Sequence, residues 1–148
     1  MSRKFRRTKV REQFGAAPYR IAADGRLEVI LVTTRETGRW TVPKGWPIKK
    51  LGPLGAAMRE AYEEAGVRGE GGPAIGVFDY LKIMRKGANQ ICEVEVFPLL
   101  VQEELEDWPE RSERQRRWFS AEDAAAAVNE EGLRTILLEM PDRIRRSG

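Results

Sequence analysis

The chain has 148 residues, a formal net charge of +3, and 41% hydrophobic and 33% charged residues. This length and balance are typical of one soluble globular domain and exclude a chain that is disordered throughout. No apolar run approaches the roughly 20 residues that a membrane span needs, and the basic N-terminus lacks the apolar segment of a secretory signal, so we expect no membrane partner and a cytoplasmic location.

Basic residues are concentrated at the two ends of the sequence. Residues 1–12 carry six of them against one acidic residue, and residues 142–148 are also rich in arginine. We predict a flexible basic arm over residues 1–12, a single domain over residues 13–141 and a basic tail over residues 142–148. The arm is either a solvated tail or a segment that attracts a polyphosphate or a nucleic acid. Because the chain between the two ends is net acidic, nucleic acid is not favoured as a partner.

Hydrophobic alternation and turn signals predict a series of strands and helices. Strands are predicted over residues 14–22 and 26–33, on either side of an Asp-Gly turn, and over residues 40–42, where Pro43 ends the strand. A helix follows over residues 53–65, then strands over 74–84, 90–101 and 117–119, a helix over 124–128 with Ser120 as its N-cap, and a last helix over 133–140 that Pro141 ends. This order predicts an α/β or α+β sandwich in which helices cover a mixed sheet.

The predicted helix over residues 53–65 carries three clustered carboxylates. It begins at Pro53, and Gly66 follows it as a C-cap. At about 100° per residue, Glu60, Glu63 and Glu64 fall within about 100° of one another, opposite an apolar stripe. Near the negative end of the helix dipole such carboxylates repel one another unless a cation is bound. The spacing leaves two readings open, a solvated acidic surface and a binding site for a divalent cation.

The sequence contains no histidine and one cysteine, Cys92. A single cysteine excludes an internal disulfide and is consistent with a reducing compartment. Without imidazole, a zinc site is not expected, and any metal must be a hard cation held by oxygen, such as magnesium, manganese or calcium. The base that activates water must then be a carboxylate or a metal-bound hydroxide.

Gly45 and residues 59–67, which read Arg-Glu-Ala-Tyr-Glu-Glu-Ala-Gly-Val, resemble the Nudix box. That pattern is Gly, five residues, Glu, seven residues, then Arg-Glu-apolar-any-Glu-Glu-any-Gly-apolar. The match is in register except at Leu51, which stands where the pattern has Glu. A looser similarity to the diphosphoinositol polyphosphate phosphohydrolase branch covers residues 14–139, mainly in residues 39–45, 108–110, 117–119 and 122–124.

The resemblance implies an α/β fold, the Nudix-type α/β/α sandwich with a mixed β-sheet. It also implies a Mg²⁺- or Mn²⁺-dependent hydrolase. Its substrate would be a small polyphosphate, either nucleoside diphosphate-linked, a dinucleoside polyphosphate or a diphosphoinositol polyphosphate. By position, Glu60, Glu63, Glu64 and the Lys44 carbonyl would hold the metal. The catalytic residues would be Glu63, Arg59 and Glu60, with Arg59 holding a glutamate in place.

Further candidates follow from the chemistry of the substrate. Guanidinium and ammonium groups bind phosphate oxygens, and the candidates for this role are Arg20, Arg35, Arg39, Lys82, Arg85 and Lys86. Glu93 and Glu95, on the strand over 90–101, are candidate accessory bases or solvent-facing residues. Two other functions stay open. One is an RNA 5′-end pyrophosphohydrolase and the other a catalytically degenerate module that binds a phosphate ligand. The protein is expected to be a monomer or a homodimer.

Overall fold

Two long strands that run parallel form the centre of the fold in the computed structural model, which describes residues 9–147. The elements in chain order are β1 (Val10–Ile21), β2 (Leu27–Thr33), β3 (Trp40–Thr41), β4 (Lys44–Gly45), α1 (Gly52–Glu60), a π-helical turn (Ala61–Ala65), β5 (Val67–Gly71), β6 (Gly76–Lys82), β7 (Gln90–Glu104), β8 (Arg116–Ser120), α2 (Ala121–Ala127) and α3 (Glu131–Ser147).

The eight described strands form one mixed sheet. Its main order is β3-β2-β1-β7-β5, with β4 paired to β1, β6 to β7 and β8 to β2. Only β1 and β7 pair in parallel among the described strands, from Val10 opposite Ile91 to Tyr19 opposite Leu100. Nearly every residue of β2 is buried, as expected for a strand covered on both faces.

Helices cover both faces of this sheet. On one face, α2 and α3 pack over a cluster that includes Val94, Val96 and Leu137. On the other face, α1 and the π-helical turn pack over a cluster that includes Phe14, Phe97 and Ala61. Successive residues of a strand point to opposite faces, which explains why Val96 and Phe97 lie in different clusters. The predicted α/β/α sandwich with a mixed sheet is confirmed.

The two ends of the domain differ from their prediction. Strand β1 starts at Val10, so it includes the last residues of the predicted arm, because Arg11 and Glu12 pair with Cys92 and Glu93 of β7. Residues 1–8 of the arm lie outside the described residues. Helix α3 does not end at Pro141 but continues to Ser147, and the predicted tail is therefore helical as far as it is described.

Packing explains why α3 continues past its proline. Pro141 lacks the N–H that would bond to the carbonyl four residues earlier. Met140 before it is fully buried, and Ile144 after it packs against the cluster under α2 and α3. This burial offsets the missing hydrogen bond.

Sequence reasoning also missed strand β5. Its residues, Val-Arg-Gly-Glu-Gly, lack the apolar alternation of a strand, and their pairing with β7 is irregular between Arg68 and Gly69. No helix in the described part of the chain is both long and apolar enough to cross a membrane.

Candidate active site

The carboxylate helix changes its geometry at the residues of interest. Regular α-helix ends at Glu60, and residues 61–65 continue as a π-helical turn, which ends at Gly66 with φ +65°. Such turns are rare and are frequently found at functional sites. Ala61 and Ala65 face the core and are fully buried.

Glu60 lies against β4, where Gly45 leaves room for it. A Cβ atom placed on Gly45 would stand 2.5 Å from Glu60 Oε2 and 2.8 Å from Oε1. Any side chain at position 45 would therefore collide with the carboxylate. Burial is the main cause that raises the pKa of Glu60, and the nearby Glu63 raises it further.

Glu64 is the most buried carboxylate of the helix, with 5% of its surface exposed. Burial raises its pKa to about 8, and contact with Glu60 acts in the same direction. Opposing charges come from Lys44 and from Arg114, whose guanidinium lies 3.5 Å from Glu64 Oε2. Because Glu64 is buried, the helix face at this position is not the solvated acidic surface that the sequence left open as one reading.

Arg114 is itself fixed by two further partners. Its Nε donates to Glu110 at 2.6 Å, and an Nη atom donates to the Thr33 carbonyl at 2.9 Å. The Arg114 side chain is only 10% exposed. These bonds hold the Arg114 side chain between β2 and the loop before β8, where it positions Glu64.

Segment 105–116 satisfies the free carbonyls at the end of the helix. The backbone N–H groups of Leu105 and Glu110 donate to the carbonyls of Gly66 and Glu63, at 2.8 and 3.0 Å. Trp108 Nε1 donates to the Glu64 carbonyl at 3.2 Å.

Arg116 completes this set of bonds. Its guanidinium donates to the Ala65 carbonyl at 2.8 Å and lies 3.8 Å from the centre of the Trp108 ring. The last carbonyls of a helix have no partner within it, so these bonds hold the Glu64 turn in place.

Strand β4 presents Gly45 to Glu60 on one side and Lys44 to a cation-lined cavity on the other. Gly45 faces Glu60 on the α1 side of the sheet, whereas the Lys44 ammonium lies 4.6 Å from the centre of the Tyr80 ring, on the side of α2 and α3. Burial lowers the pKa of Lys44. The cavity has a volume of about 620 Å³, and both Lys44 and Glu64 line it.

The cavity lining is rich in both signs of charge. Its cationic side chains are Arg35, Arg39, Lys44, Lys82, Arg85 and Arg114, and its acidic ones are Glu36, Glu64, Glu113 and Glu130. Arg35 is paired with Glu113 at 3.0 Å and Arg85 with Glu36 at 3.7 Å, both in exposed positions. Such exposed pairs are weak, so a polyanion can compete for these arginines.

A sequence profile of the NUDIX domain matches residues 14–140. The chain belongs to the NUDIX domain family. Members of this family generally use divalent metal ions. The carboxylate helix, the π-helical turn and Gly45 carry the residues that resemble the Nudix box.

Named relatives agree with this assignment. The chain is 35% identical over 131 residues to Nudix hydrolase 21, chloroplastic, of Arabidopsis thaliana, covering 86% of this chain and 64% of the relative. It is 43% identical over 100 residues to diphosphoinositol polyphosphate phosphohydrolase 3-alpha of Mus musculus, covering 66% and 57%. The chain thus spans less than two thirds of these relatives. Since one relative is chloroplastic and another, Nudix hydrolase 18 of Arabidopsis thaliana, is mitochondrial, the cytoplasmic location stays a prediction.

The fold also matches solved structures of the family. A binary complex of the Ap4A hydrolase of C. elegans superposes with a TM-score of 0.66 at 21% identity, covering 90% of this chain and 97% of that one. A NUDIX hydrolase from Nitrosomonas europaea gives a TM-score of 0.66 at 18% identity, covering 88% and 87%. At these identities the similarity concerns the fold.

Glu63, the third predicted metal-binding carboxylate, does not point to the same place as Glu60 and Glu64. Glu63 turns toward Arg59, with 3.5 Å between an Nη atom and Oε2, and its side chain is 32% exposed. Within the described residues, no group of three or more acidic, cysteine or histidine side chains is arranged to hold a metal. A Mg²⁺ site needs only one or two carboxylates when substrate phosphates supply further oxygens, and the neighbouring Glu60 and Glu64 fit this requirement.

The phosphate-binding candidates divide into two groups. Arg35, Arg39, Lys82 and Arg85 line the cavity, whereas Arg20 and Lys86 do not. Arg20 Nε bonds to Glu28 at 2.7 Å, and its guanidinium lies 3.9 Å from the centre of the Trp118 ring. Lys86 is exposed in the loop after β6.

Of the two candidate bases, Glu95 is nearer to the carboxylate site. It lies opposite Phe14, which lies opposite Gly45, so all three share the α1 face of the sheet. Two strand spacings, about 10 Å, separate Glu95 from Gly45. Glu93 is exposed further along β7, opposite Glu12.

Leu51 departs from the Nudix box at the far end of the helix. It is 41% exposed and precedes the first residue of α1. It lies nine positions before Glu60, about 14 Å along a helix axis. A carboxylate side chain at this position would start far from Glu60 and Glu64.

Sequence reasoning missed several residues of the site. Arg114 and Glu130 were not selected, nor was the side chain of Lys44, which was considered for its carbonyl alone. Arg114 stands in a run of basic residues that gives no sign of which one is buried. Its partner Glu64 lies 50 positions away, so only the folded chain reveals the pair.

Proposed function

We propose that this chain hydrolyses a phosphoanhydride bond in a small polyphosphate, with Mg²⁺ or Mn²⁺ as cofactor. The observation that carries the proposal is Glu64, a nearly buried carboxylate that opens onto a cavity lined by six cationic side chains. Carboxylates whose pKa is strongly perturbed are frequent at functional sites, and arginine and lysine side chains are common partners of phosphate groups. The names of the relatives, a diphosphoinositol polyphosphate phosphohydrolase and an Ap4A hydrolase, support the same class of substrate.

Glu60, Glu64 and the Lys44 carbonyl would hold the cation, with Glu63 beside them. When bound, a divalent cation neutralises phosphoryl oxygens and lowers the pKa of water. Burial disfavours the charged forms of both Glu60 and Glu64, and contact with Glu60 adds to this cost at Glu64; a bound cation offsets it. The chain thus contributes a prearranged pair of oxygen ligands.

The other side chains would bind and orient the substrate. Arg39 and Lys82 line the cavity and can contact phosphate oxygens, and Arg35 and Arg85 can exchange their exposed glutamate partners for phosphate. Glu63, partly exposed near Glu60, can accept a proton from water, and Glu95 on the same side of the sheet is the second candidate base. Arg114 would keep Glu64 in position.

A substrate panel tests this function. Phosphate release would be measured from a dinucleoside polyphosphate, a diphosphoinositol polyphosphate and triphosphorylated RNA, with Mg²⁺, with Mn²⁺ and with a chelator. We expect metal-dependent turnover of at least one small polyphosphate and a loss of about 100-fold or more in Glu64→Gln. Glu106→Gln, an exposed loop residue outside the cavity, is the matched control.

Each contrary result has a defined meaning. Turnover of RNA alone would replace the proposal by an RNA-end function, and the basic arm would then be the segment to remove. Binding without turnover of any substrate would show a ligand-binding module. Full activity in Glu64→Gln would refute the assignment of the metal site.

A further inference from the structure

One part of the sheet, on the side of α1, is open to solvent. Under α1 itself Phe14 and Phe97 are buried, but toward the start of β1 the same face carries Val10, Val77 and Leu81, which are 51, 52 and 54% exposed. Apolar side chains that stay exposed side by side mark interaction sites. We call this surface the open sheet face; it is made by Val10 and Glu12 of β1, Ile91 and Glu93 of β7, and Val77, Asp79 and Leu81 of β6.

Three carboxylates cross the open sheet face in one row. Glu12 lies opposite Glu93 on the neighbouring strand, and Glu93 lies opposite Asp79 on the next strand. Like charges directly opposite each other destabilise a sheet. All three residues are exposed, and their side chains form no ion pair with another described residue. The row therefore has a cost that a cationic partner would offset.

The charge of the row restricts what can cover this surface. A polyphosphate, or the same face of a second copy, would bring like charges together. Within the described residues, no group of three or more acidic side chains is arranged to hold a metal ion. A segment with both cationic and apolar side chains complements the carboxylates and also the apolar row beside them, in which Val10, Ile91 and Leu81 lie opposite one another.

The N-terminal segment, residues 1–8, enters the sheet beside this surface. Gln90 Nε2 donates to the Lys9 carbonyl at 2.6 Å, which fixes the point at which the chain reaches β1. The segment lies outside the described residues, and eight residues span up to about 28 Å. The acidic row begins three residues into the sheet from Lys9, about 10 Å away. The segment is therefore long enough to reverse its direction and to cross the row.

The composition of the N-terminal segment matches the open sheet face. It reads Met-Ser-Arg-Lys-Phe-Arg-Arg-Thr, with four basic side chains, no acidic one and an aromatic ring at Phe5. The face offers three carboxylates, and Glu95 lies in the next row, opposite Val77. Cations and carboxylates are thus present in similar number, and Phe5 has exposed apolar side chains to pack against.

We propose that the N-terminal segment binds back onto the open sheet face of its own chain. Its basic side chains lie against Glu12, Asp79 and Glu93, and Phe5 packs against the apolar row. Bound in this way, the basic charge of the segment is taken up by its own domain and is not available to a nucleic acid. The inference does not rest on the proposed function, because no phosphate, metal or turnover enters it.

Paramagnetic relaxation in the full-length protein tests the contact. A nitroxide is attached through Ser2→Cys, and the natural Cys92 is fully buried and therefore unreactive. We expect the amide signals of residues 77–81 to lose most of their intensity relative to the reduced label. Those of residues 116–120 should keep theirs, because β8 pairs with β2, which meets β1 at its other end. In about 1 M salt, where the Debye length is about 3 Å, the lost intensity should largely return.

Charge reversal supplies the matched comparison. Glu93→Lys should restore the signals of residues 77–81, because it places a cation in the middle of the row. Glu106→Lys, the same change at an exposed loop position, should leave them broadened. Well-dispersed amide spectra establish that both variants fold.

Urea unfolding gives an independent readout. In the natural sequence, Glu93→Gln should lower the midpoint, because an attraction to the segment is lost. In a full-length variant with a neutral segment (Arg3→Gln, Lys4→Gln, Arg6→Gln and Arg7→Gln), the same substitution should raise the midpoint, because repulsion within the row is relieved. A merely structural role of Glu93 would give the same change in both proteins.

The contrary outcomes are equally defined. Full signal intensity for residues 77–81, or a Glu93→Gln effect of the same sign and size in both proteins, overturns the inference. Spin-labelled protein is also mixed with isotope-labelled protein that carries no nitroxide. Broadening in that mixture as strong as within one chain would assign the face to the segment of a second copy, and it would overturn the contact within one chain.

Discussion

Replacing Gly45 by alanine places a methyl group against the Glu60 carboxylate. The added Cβ would stand 2.5 Å from Glu60 Oε2, whereas ordinary contacts begin at 3.4 Å. The two groups must therefore separate by about 0.9 Å, the difference between these distances. The end of the Glu60 side chain can move more easily than β4, which is paired to β1 at Phe14 and Gly15.

The size of the effect follows from this displacement. A shift of about 1 Å in a reacting group costs about 100-fold in rate, which corresponds to about 2.7 kcal/mol in the activation free energy. The free energy of unfolding should change by only about 1 kcal/mol, because Glu60 can move away by rotation of its side chain. The variant is thus expected to be folded and slow.

Two assays test this prediction together. The kcat/KM for phosphoanhydride hydrolysis with Mg²⁺ and the midpoint of urea unfolding are measured for Gly45→Ala and for Gly72→Ala. In the control, the new Cβ would meet only Pro98, at 3.3 Å. Unchanged hydrolysis in Gly45→Ala would refute the reasoning, and so would an equal loss in both variants.

Three further variants probe the support of the site. Trp108→Phe removes the bond to the Glu64 carbonyl and keeps an aromatic ring, and we expect urea unfolding to show a loss of about 1 kcal/mol. Arg114→Met leaves Glu64 and Glu110 without their buried cation; we expect a loss of about 3 kcal/mol, measured in the same way. Ser120→Ala removes the N-cap bond to the Asp123 amide, 3.0 Å long, and should cost about 1 kcal/mol in thermal unfolding without affecting kcat. A stability equal to that of the unmodified protein would contradict the expectation in each case.

Local sequence signals predicted the helix of the site and the general fold. Pro53 and Gly66 bound the helical segment because each has a backbone preference that acts without distant partners. The Asp-Gly turn before β2 was predicted for the same reason, and residues 22–26 do close it through backbone hydrogen bonds. Alternation along residues 90–101 predicted β7 and its two faces.

Features that depend on distant contacts could not be predicted in this way. Strand β5 forms because β7 offers it a partner, in spite of its two glycines. Arg11 reads as part of a basic arm but pairs in β1 and places its guanidinium 4.2 Å from the centre of the Trp46 ring. The burial of Glu64 and the fixed position of the Arg114 side chain depend on tertiary packing between segments that are about 50 residues apart.

The way in which segment 105–116 holds the end of the helix also fixes the order in which the site can assemble. The Glu64 carbonyl accepts a hydrogen bond from Trp108, which lies 44 positions later in the chain. The Ala65 carbonyl accepts one from Arg116, 51 positions later. Contacts of such separation form slowly, because the intervening chain must first be closed into a loop. During synthesis, the hydrogen bonds that hold the Glu64 turn therefore cannot all form until Arg116 has left the ribosome.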